Sequence, residues 1–285
     1  MRFLILVLLA GSAFALEPGK LPQAFRASGP NCVDVPDWQV HAYNEDFYIL
    51  RESGCTNYEK PFLYLIFGND FALLEDTGAG NAQTAPQVFG LIEKWAKLKK
   101  RATVPLIVIH SHGHGDHTSG DKQFQGLPNV KFIPATPTAI AELGPEIELG
   151  GRVLDVLPIP GHNNVSIALY DRKTGILLTG DSLYPGRLYV PIADFPAFAA
   201  SAAKLAAFVK THQIAHVLGT HIEQSDTPYV DYPTGTVHQP SEHSLALTRA
   251  HVLELDEACR TMPATPQITA LPDFTIVVRP ARPPR

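Results

Sequence analysis

The sequence predicts a layered α/β protein. Three observations predict it: apolar runs of strand length alternate with amphipathic helical stretches, the alternation comes in two rounds that meet near residue 145, and apolar runs end repeatedly in loops that carry His or Asp. Strands covered on both faces read as nearly continuous apolar runs, and the intervening helical patterns supply the cover. At 285 residues and 45% apolar composition the chain can build one large core. Two halves closing on each other would form a sheet-on-sheet core with helices outside.

The first fifteen residues stand apart. Met1-Arg2 is a short basic start, residues 3–10 are apolar, and Ala13-Phe14-Ala15 offers a cleavage site, the pattern of a signal peptide over residues 1–15. The run is too short for a permanent membrane anchor, and no later stretch reads as the ~20 residues that a bilayer span needs. A secreted or periplasmic protein is expected. A formal charge of −5 without any basic block argues against nucleic acid or anionic lipid as the main partner, and a small-molecule substrate is expected. An oxidising compartment permits cysteine pairing. Cys32 and Cys55 are the expected disulfide, with Cys259 free in a helix.

In chain order, residues 16–44 are Pro/Gly-rich and poorly periodic, an N-terminal arm ahead of a single domain over residues 45–285. Strand patterns follow at 47–51, 62–67 and 71–75, the last two separated by Gly68-Asn69-Asp70, a hairpin signal. Asp76-Thr77-Gly78-Ala79-Gly80 comes next. Asp76 is by default a turn former, and its place upstream of a histidine-rich loop gives it a second reading, hydrogen-bonding that loop from behind. Val88, Leu91, Ile92, Trp95 and Leu98 recur at helical spacing and predict a helix over 86–100. Further strands are expected at 106–110, 130–133, 153–159, 165–170, 176–181, 214–218 and 274–278. Helices are expected at 118–125, 137–143, 195–210 and 241–262, the last with Ser241 as N-cap and Leu245, Val252 and Leu255 facing inward.

The loop after residues 106–110 carries the chemistry: His112-Gly113-His114-Gly115-Asp116-His117. A lone histidine is usually a satisfied surface or core residue, but metal ligands come in clusters, and imidazole with carboxylate is the donor set that zinc prefers. Four such donors within six residues point to a metal. His162, Asp181 and His221 each lie just beyond an apolar run, as the first cluster does. His110, two residues before the cluster, reads as strand-end packing, with support of the ligands from behind as its other reading. His41, His212, His216, His238, His243 and His251 show no ligand spacing, and no Ser or Cys stands in a nucleophile-elbow context.

Taken together, His112, His114, Asp116, His117, His162, Asp181 and His221, with Asp76 and Gly120 in supporting places, resemble the motif set of the metallo-β-lactamase superfamily over residues 47–221. The resemblance implies an αββα sandwich with two zinc ions at the sheet edge. His112, His114 and His162 would hold one, Asp116, His117 and His221 the other, and Asp181 would bridge them. β-Lactam-opening enzymes usually carry Cys or Ser where Asp181 stands, so the chain resembles the glyoxalase II and lactonase branches rather than a typical β-lactamase. The implied activity is hydrolysis of a lactone, ester or thioester by a metal-bridging hydroxide, with Asp116 orienting the water or carrying its proton. Tyr184, three residues past Asp181, resembles a lactonase phenol that contacts the substrate carbonyl; pocket wall is its other reading. Alternatives within the resemblance are a mononuclear iron persulfide dioxygenase using His112, His162 and Asp181, and a β-lactam hydrolase. A metal-stabilised binding protein without turnover is a further possibility.

Overall fold

The computed structural model describes residues 15–25, 32 and 35–280, so the expected signal peptide lies outside the described residues except for Ala15. The first round supplies β1 (Trp38–Asn44), β2 (Phe47–Glu52), β3 (Phe62–Phe67), β4 (Ala72–Glu75), α1 (Thr84–Leu98), β5 (Leu106–Ile109), α2 (Gly115–Thr118), β6 (Val130–Phe132) and α3 (Pro137–Glu142). The second supplies β7 (Glu146–Glu148), β8 (Val153–Pro158), β9 (Ile167–Asp171), β10 (Ile176–Gly180), β11 (Arg187–Pro191), α4 (Phe195–Thr211), β12 (His216–Gly219), β13 (Ala246–Leu247), α5 (Arg249–Arg260), β14 (Thr269–Ala270) and β15 (Thr275–Arg279). One six-stranded sheet runs β1-β2-β3-β4-β5-β6 and a second runs β13-β12-β10-β9-β8-β7, with a small sheet β11-β15-β14 beside them. The first round is therefore one sheet, and the second supplies the other together with the small one.

Alternation along the strands assigns the layers. Phe47, Ile49, Tyr64, Ile66, Leu73 and Ile107 cluster with Ile167, Leu169, Ile176 and Leu178, which is the core between the sheets. The opposite faces carry Tyr48, Leu50, Leu65 and Leu74 against Val88, Ile92 and Trp95 of α1, and Ala168, Leu177 and Val217 against Leu205 of α4 and Val252 and Leu255 of α5. Both sheets are covered on both faces, which is why their strands read as unbroken apolar runs. Arg152 ties the layers together: its guanidinium donates to both oxygens of Asp171 in the second sheet, at 3.0 and 2.5 Å, and to the carbonyls of Asp46 and Phe67 beside the first, at 2.9 and 3.1 Å.

Several elements differ from expectation, among them strands β7, β11, β13 and β14, which the sequence reading did not include. β1 lies within the segment read as an irregular arm, paired antiparallel with β2. The helix expected over 241–262 begins only after Thr248, whose hydroxyl accepts from Ala250 N–H while His251 Nδ1 accepts from Thr248 N–H; Glu242, which would have lain in the first turn, is paired instead with buried Arg51. The short helix expected at 118–125 is displaced into the motif itself, Gly115–Thr118, followed by a 3-10 turn at Asp121–Gln123. Helix Ile192–Thr211 has the length and hydropathy to cross a bilayer, contrary to the reading that no later stretch does. One face of it, including Phe198, Ala202, Leu205 and Val209, is nevertheless buried against the second sheet. The disulfide Cys32–Cys55 forms as expected, and Cys259 is free and buried.

Candidate metal centre

Four loops meet at one rim of the sandwich. Beyond β5, the turn of α2 is closed by Ser119 N–H donating to Gly115 O and by His117 N–H donating to His114 O, which swings Asp116 and His117 back toward the strand ends. Gly120 permits this loop to sit on the β4 terminus, because a Cβ there would fall 2.1 Å from Thr77 O. The loops after β8, β10 and β12 bring His162, Asp181 and His221.

All seven expected ligand residues come together, in two groups. His112, His114, His162 and Asp181 form one, and Asp116, His117, Asp181 and His221 the other; within each, one donor atom per residue lies within 4.8 Å of every other. Asp181 belongs to both. Its Oδ2 is 3.7 and 3.3 Å from Nε2 of His112 and His162, and its Oδ1 is 3.5 and 3.3 Å from Nε2 of His117 and His221. Asp116 Oδ2 is 3.1 and 3.3 Å from Nε2 of His117 and His221.

Hydrogen bonds behind the rings decide which nitrogen faces in. His117 Nδ1–H donates to Asp76 Oδ2 (2.8 Å), His162 Nδ1–H to Tyr189 O (2.8 Å) and His221 Nδ1–H to Glu59 O (2.9 Å). The Ser111 hydroxyl donates to Asp76 Oδ2 (2.7 Å) and so accepts from His112 Nδ1–H at 3.1 Å. Each of these four rings therefore turns a bare Nε2 inward, an arrangement that recurs behind metal-binding histidines. Nε2 of His112 and His162 stand 3.2 Å apart, and those of His117 and His221 3.3 Å apart. His114 turns Nδ1 inward instead, 3.0 and 2.9 Å from the same two nitrogens of the first group. Facing lone pairs at such distances repel unless a proton or a cation lies between them. Nitrogen and carboxylate donors in this number suit a borderline divalent ion, so the residues fit a metal.

Asp76 serves both groups. It is fully buried at φ +69°, a left-handed conformation that Asp tolerates, and it accepts from Ser111 N–H (2.8 Å), the Ser111 hydroxyl and His117 Nδ1–H. The expectation that it hydrogen-bonds the loop from behind holds. Asp76→Ala is expected to weaken metal affinity about 10- to 100-fold, the usual effect of losing such a partner, read by titration against a competing chelator. Affinity equal to the parent's would remove Asp76 from the support.

Burial is the largest influence on every buried ligand. It holds the pKa of His112 well below the ordinary imidazole value and brings that of His162 down to about 4, against the pull of Asp181. In His117 and His221 burial acts in the same direction, but nearby carboxylates outweigh it and raise both: Asp116, Asp76 and Asp181 for His117, Asp181 and Asp116 for His221. Burial pushes Asp116 and Asp181 up, yet His117 and His221 hold both far below the usual carboxylate range. Without a cation His117 and His221 thus take a second proton, at Nε2, more readily than an ordinary imidazole, and a metal must displace any proton held there. Displacing such protons makes metal affinity fall as pH falls. Zinc titrations between pH 8 and 6 check this, and an affinity independent of pH would contradict it.

Several supports left no clear signature in the sequence. The Thr220 hydroxyl donates to Asp181 Oδ1, and its place directly before His221 was the available signal. Glu52, buried at the end of β2, accepts from Ala79 N–H at 2.8 Å and fastens the loop after Asp76. His110 packs at the strand end as expected, its Nε2 2.8 Å from Asp121 Oδ1. Tyr184 lies beside the ligands with its hydroxyl engaged elsewhere. Its ring packs edge-on against His221 with centroids 5.4 Å apart, but its hydroxyl donates to Arg187 O and lies 3.2 Å from Glu223 Oε2. Glu223 also accepts from Arg187 N–H (2.9 Å) and its guanidinium (3.1 Å), so the phenol is fixed within this buried network rather than offered to a substrate carbonyl.

Residues 128–221 match the family described as the metallo-beta-lactamase superfamily. The acyl-coenzyme A thioesterase MBLAC2 of Bos taurus is 23% identical over 227 residues, 65% of this chain and 81% of that protein. A hydroxyacylglutathione hydrolase of Synechococcus sp. is 30% identical over 105 residues, 34% of this chain and 40% of that protein. Among solved structures, a metallo-beta-lactamase from Erythrobacter litoralis with beta mercaptoethanol in the active site superposes with a TM-score of 0.52 at 14% identity, over 81% of this chain and 99% of that one, which shows the shared fold. Residues 128–221 thus carry a metallo-β-lactamase superfamily domain, and in motif, layered fold and relatives the chain is similar to that superfamily beyond them.

Proposed function

We propose that this chain is a dinuclear zinc hydrolase acting on thioesters. The observation that carries the reading is the shared position of Asp181, whose two oxygens face the two ligand groups separately. His112, His114 and His162 would hold one zinc, Asp116, His117 and His221 the other, with Asp181 between them. Bound there, the pair supplies Lewis acidity at the carbonyl and water acidified to near neutrality. Asp116 is the more open of the two carboxylates, with its side chain 20% exposed against 9% for Asp181. It orients the attacking water, takes its proton as the oxygen adds to the acyl carbon, and returns that proton to the sulfur when the C–S bond breaks. The relatives named for acyl-coenzyme A and hydroxyacylglutathione favour thioesters over the lactones and simple esters that the motif also admits. Asp at position 181 supports the same branch over β-lactam opening. The Cys32–Cys55 disulfide supports an oxidising, exported location.

A panel of acyl-coenzyme A, acylglutathione, lactone, ester and β-lactam substrates, run on metal-quantified protein, tests this. Thioester turnover with about two zincs per chain is expected; one iron with oxygen uptake on a persulfide would defeat it. Tyr184→Phe is expected to keep both metals and change turnover less than about threefold, since the hydroxyl is engaged away from the ligands. A hundredfold loss would return the phenol to catalysis.

A further inference from the structure

A cavity of about 510 Å³ opens on the side of the sandwich where edge strands β6 and β7 lie and α3 crosses between the sheets. Its size is that of a small-molecule pocket. Ile107 and Ile147 form a buried floor, and Ile133 and Leu143, both half-buried, extend it outward. The rim is acidic: Glu142, Glu146 and Glu148 stand against Lys131, with Arg172 pairing Glu146 at 2.7 Å from outside the cavity. One end points toward the metal-binding loop. Ile133 and Pro134 line the cavity, and the carbonyl of the next residue, Ala135, stands 3.7 Å from where a Cβ on Gly113 would be, between ligands His112 and His114. His114, the exposed ligand of its group, follows Gly113 directly in that loop.

We propose that this cavity takes the hydrocarbon tail of an acyl thioester whose carbonyl lies at the metal centre; the inference rests on the thioester reading above. An apolar floor gains from burying methylenes, and the acidic rim repels the phosphates or carboxylates of a thiol head group, which leaves the tail as the end that enters. The occupant is thus a medium- or long-chain acyl group, and the head group stays outside.

The test is a chain-length series from acetyl- to palmitoyl-coenzyme A on the zinc-loaded protein, with Ala139→Trp to fill the cavity and Leu143→Ala to enlarge it. In the parent kcat/KM should rise up to about fourfold per added methylene until the cavity is full. Ala139→Trp should flatten that rise while leaving acetyl turnover and zinc content unchanged, and Leu143→Ala should move the optimum to longer chains. A fluorescent dansyl-labelled fatty acid should bind the parent and lose at least tenfold in affinity in Ala139→Trp, a readout that needs no turnover. Hydrolysis that ignores chain length in the parent, or a length profile identical in all three proteins, would overturn the tail site and spare the thioester reading. No hydrolysis at any length would overturn the tail site, and inertness toward acylglutathiones as well would sink the thioester reading with it.

Discussion

Asp181→Ala is expected to abolish turnover and to reduce bound zinc from about two to one or fewer per chain. The side chain is shared: Oδ2 belongs to the group of His112 and His162, and Oδ1 to that of His117 and His221. Removing it deprives both groups of a carboxylate and leaves His117 and His221 with less negative charge to offset burial. A metal at a carbonyl supplies several kcal/mol of charge stabilisation, so a fall on the order of 10³-fold or more in kcat is expected. Metal analysis with turnover on the best thioester checks this. Full zinc with full rate would contradict the bridging position.

Arg152→Ala should produce the largest loss of stability. The guanidinium is buried, faces both oxygens of Asp171 and donates to two carbonyls beside the other sheet. The Thr174 hydroxyl also donates to Asp171 but supplies no countercharge. Truncation leaves a buried carboxylate with no cation, and breaking such a pair costs about 3–5 kcal/mol. For a domain of this size that lowers Tm by roughly 10 °C. Calorimetry on the metal-free protein isolates the effect from metal loading. A shift under about 2 °C would show that the two sheets do not depend on this tie.

The site was legible in the sequence because its ligands are local features. Each follows an apolar run with short spacing, so the strand ends that position His112, His162, Asp181 and His221 could be read beside the ligands themselves. The supports were less legible. His162 and His221 are oriented by the carbonyls of Tyr189 and Glu59, and a backbone carbonyl leaves no trace in residue identity. Tyr184 was rightly placed beside the ligands, but the direction of its hydroxyl depends on Glu223 and Arg187, which no local pattern couples to it.

The same division holds for the fold. Doubly covered strands such as Phe62–Phe67 announce themselves, whereas β1 at the edge mixes buried and exposed positions in Trp38–Asn44 and shows no apolar run. The start of α5 was misplaced because Ser241 and Thr248 are both acceptable caps in sequence. Arg51, nearly two hundred residues upstream, decides between them by claiming Glu242.

Anomalous diffraction at the zinc edge, on crystals of the zinc-loaded protein, tests the central claim most directly. Two peaks are expected on either side of Asp181, one about 2 Å from nitrogens of His112, His114 and His162, the other as close to Asp116, His117 and His221. A single peak, or none touching Asp181, would contradict it.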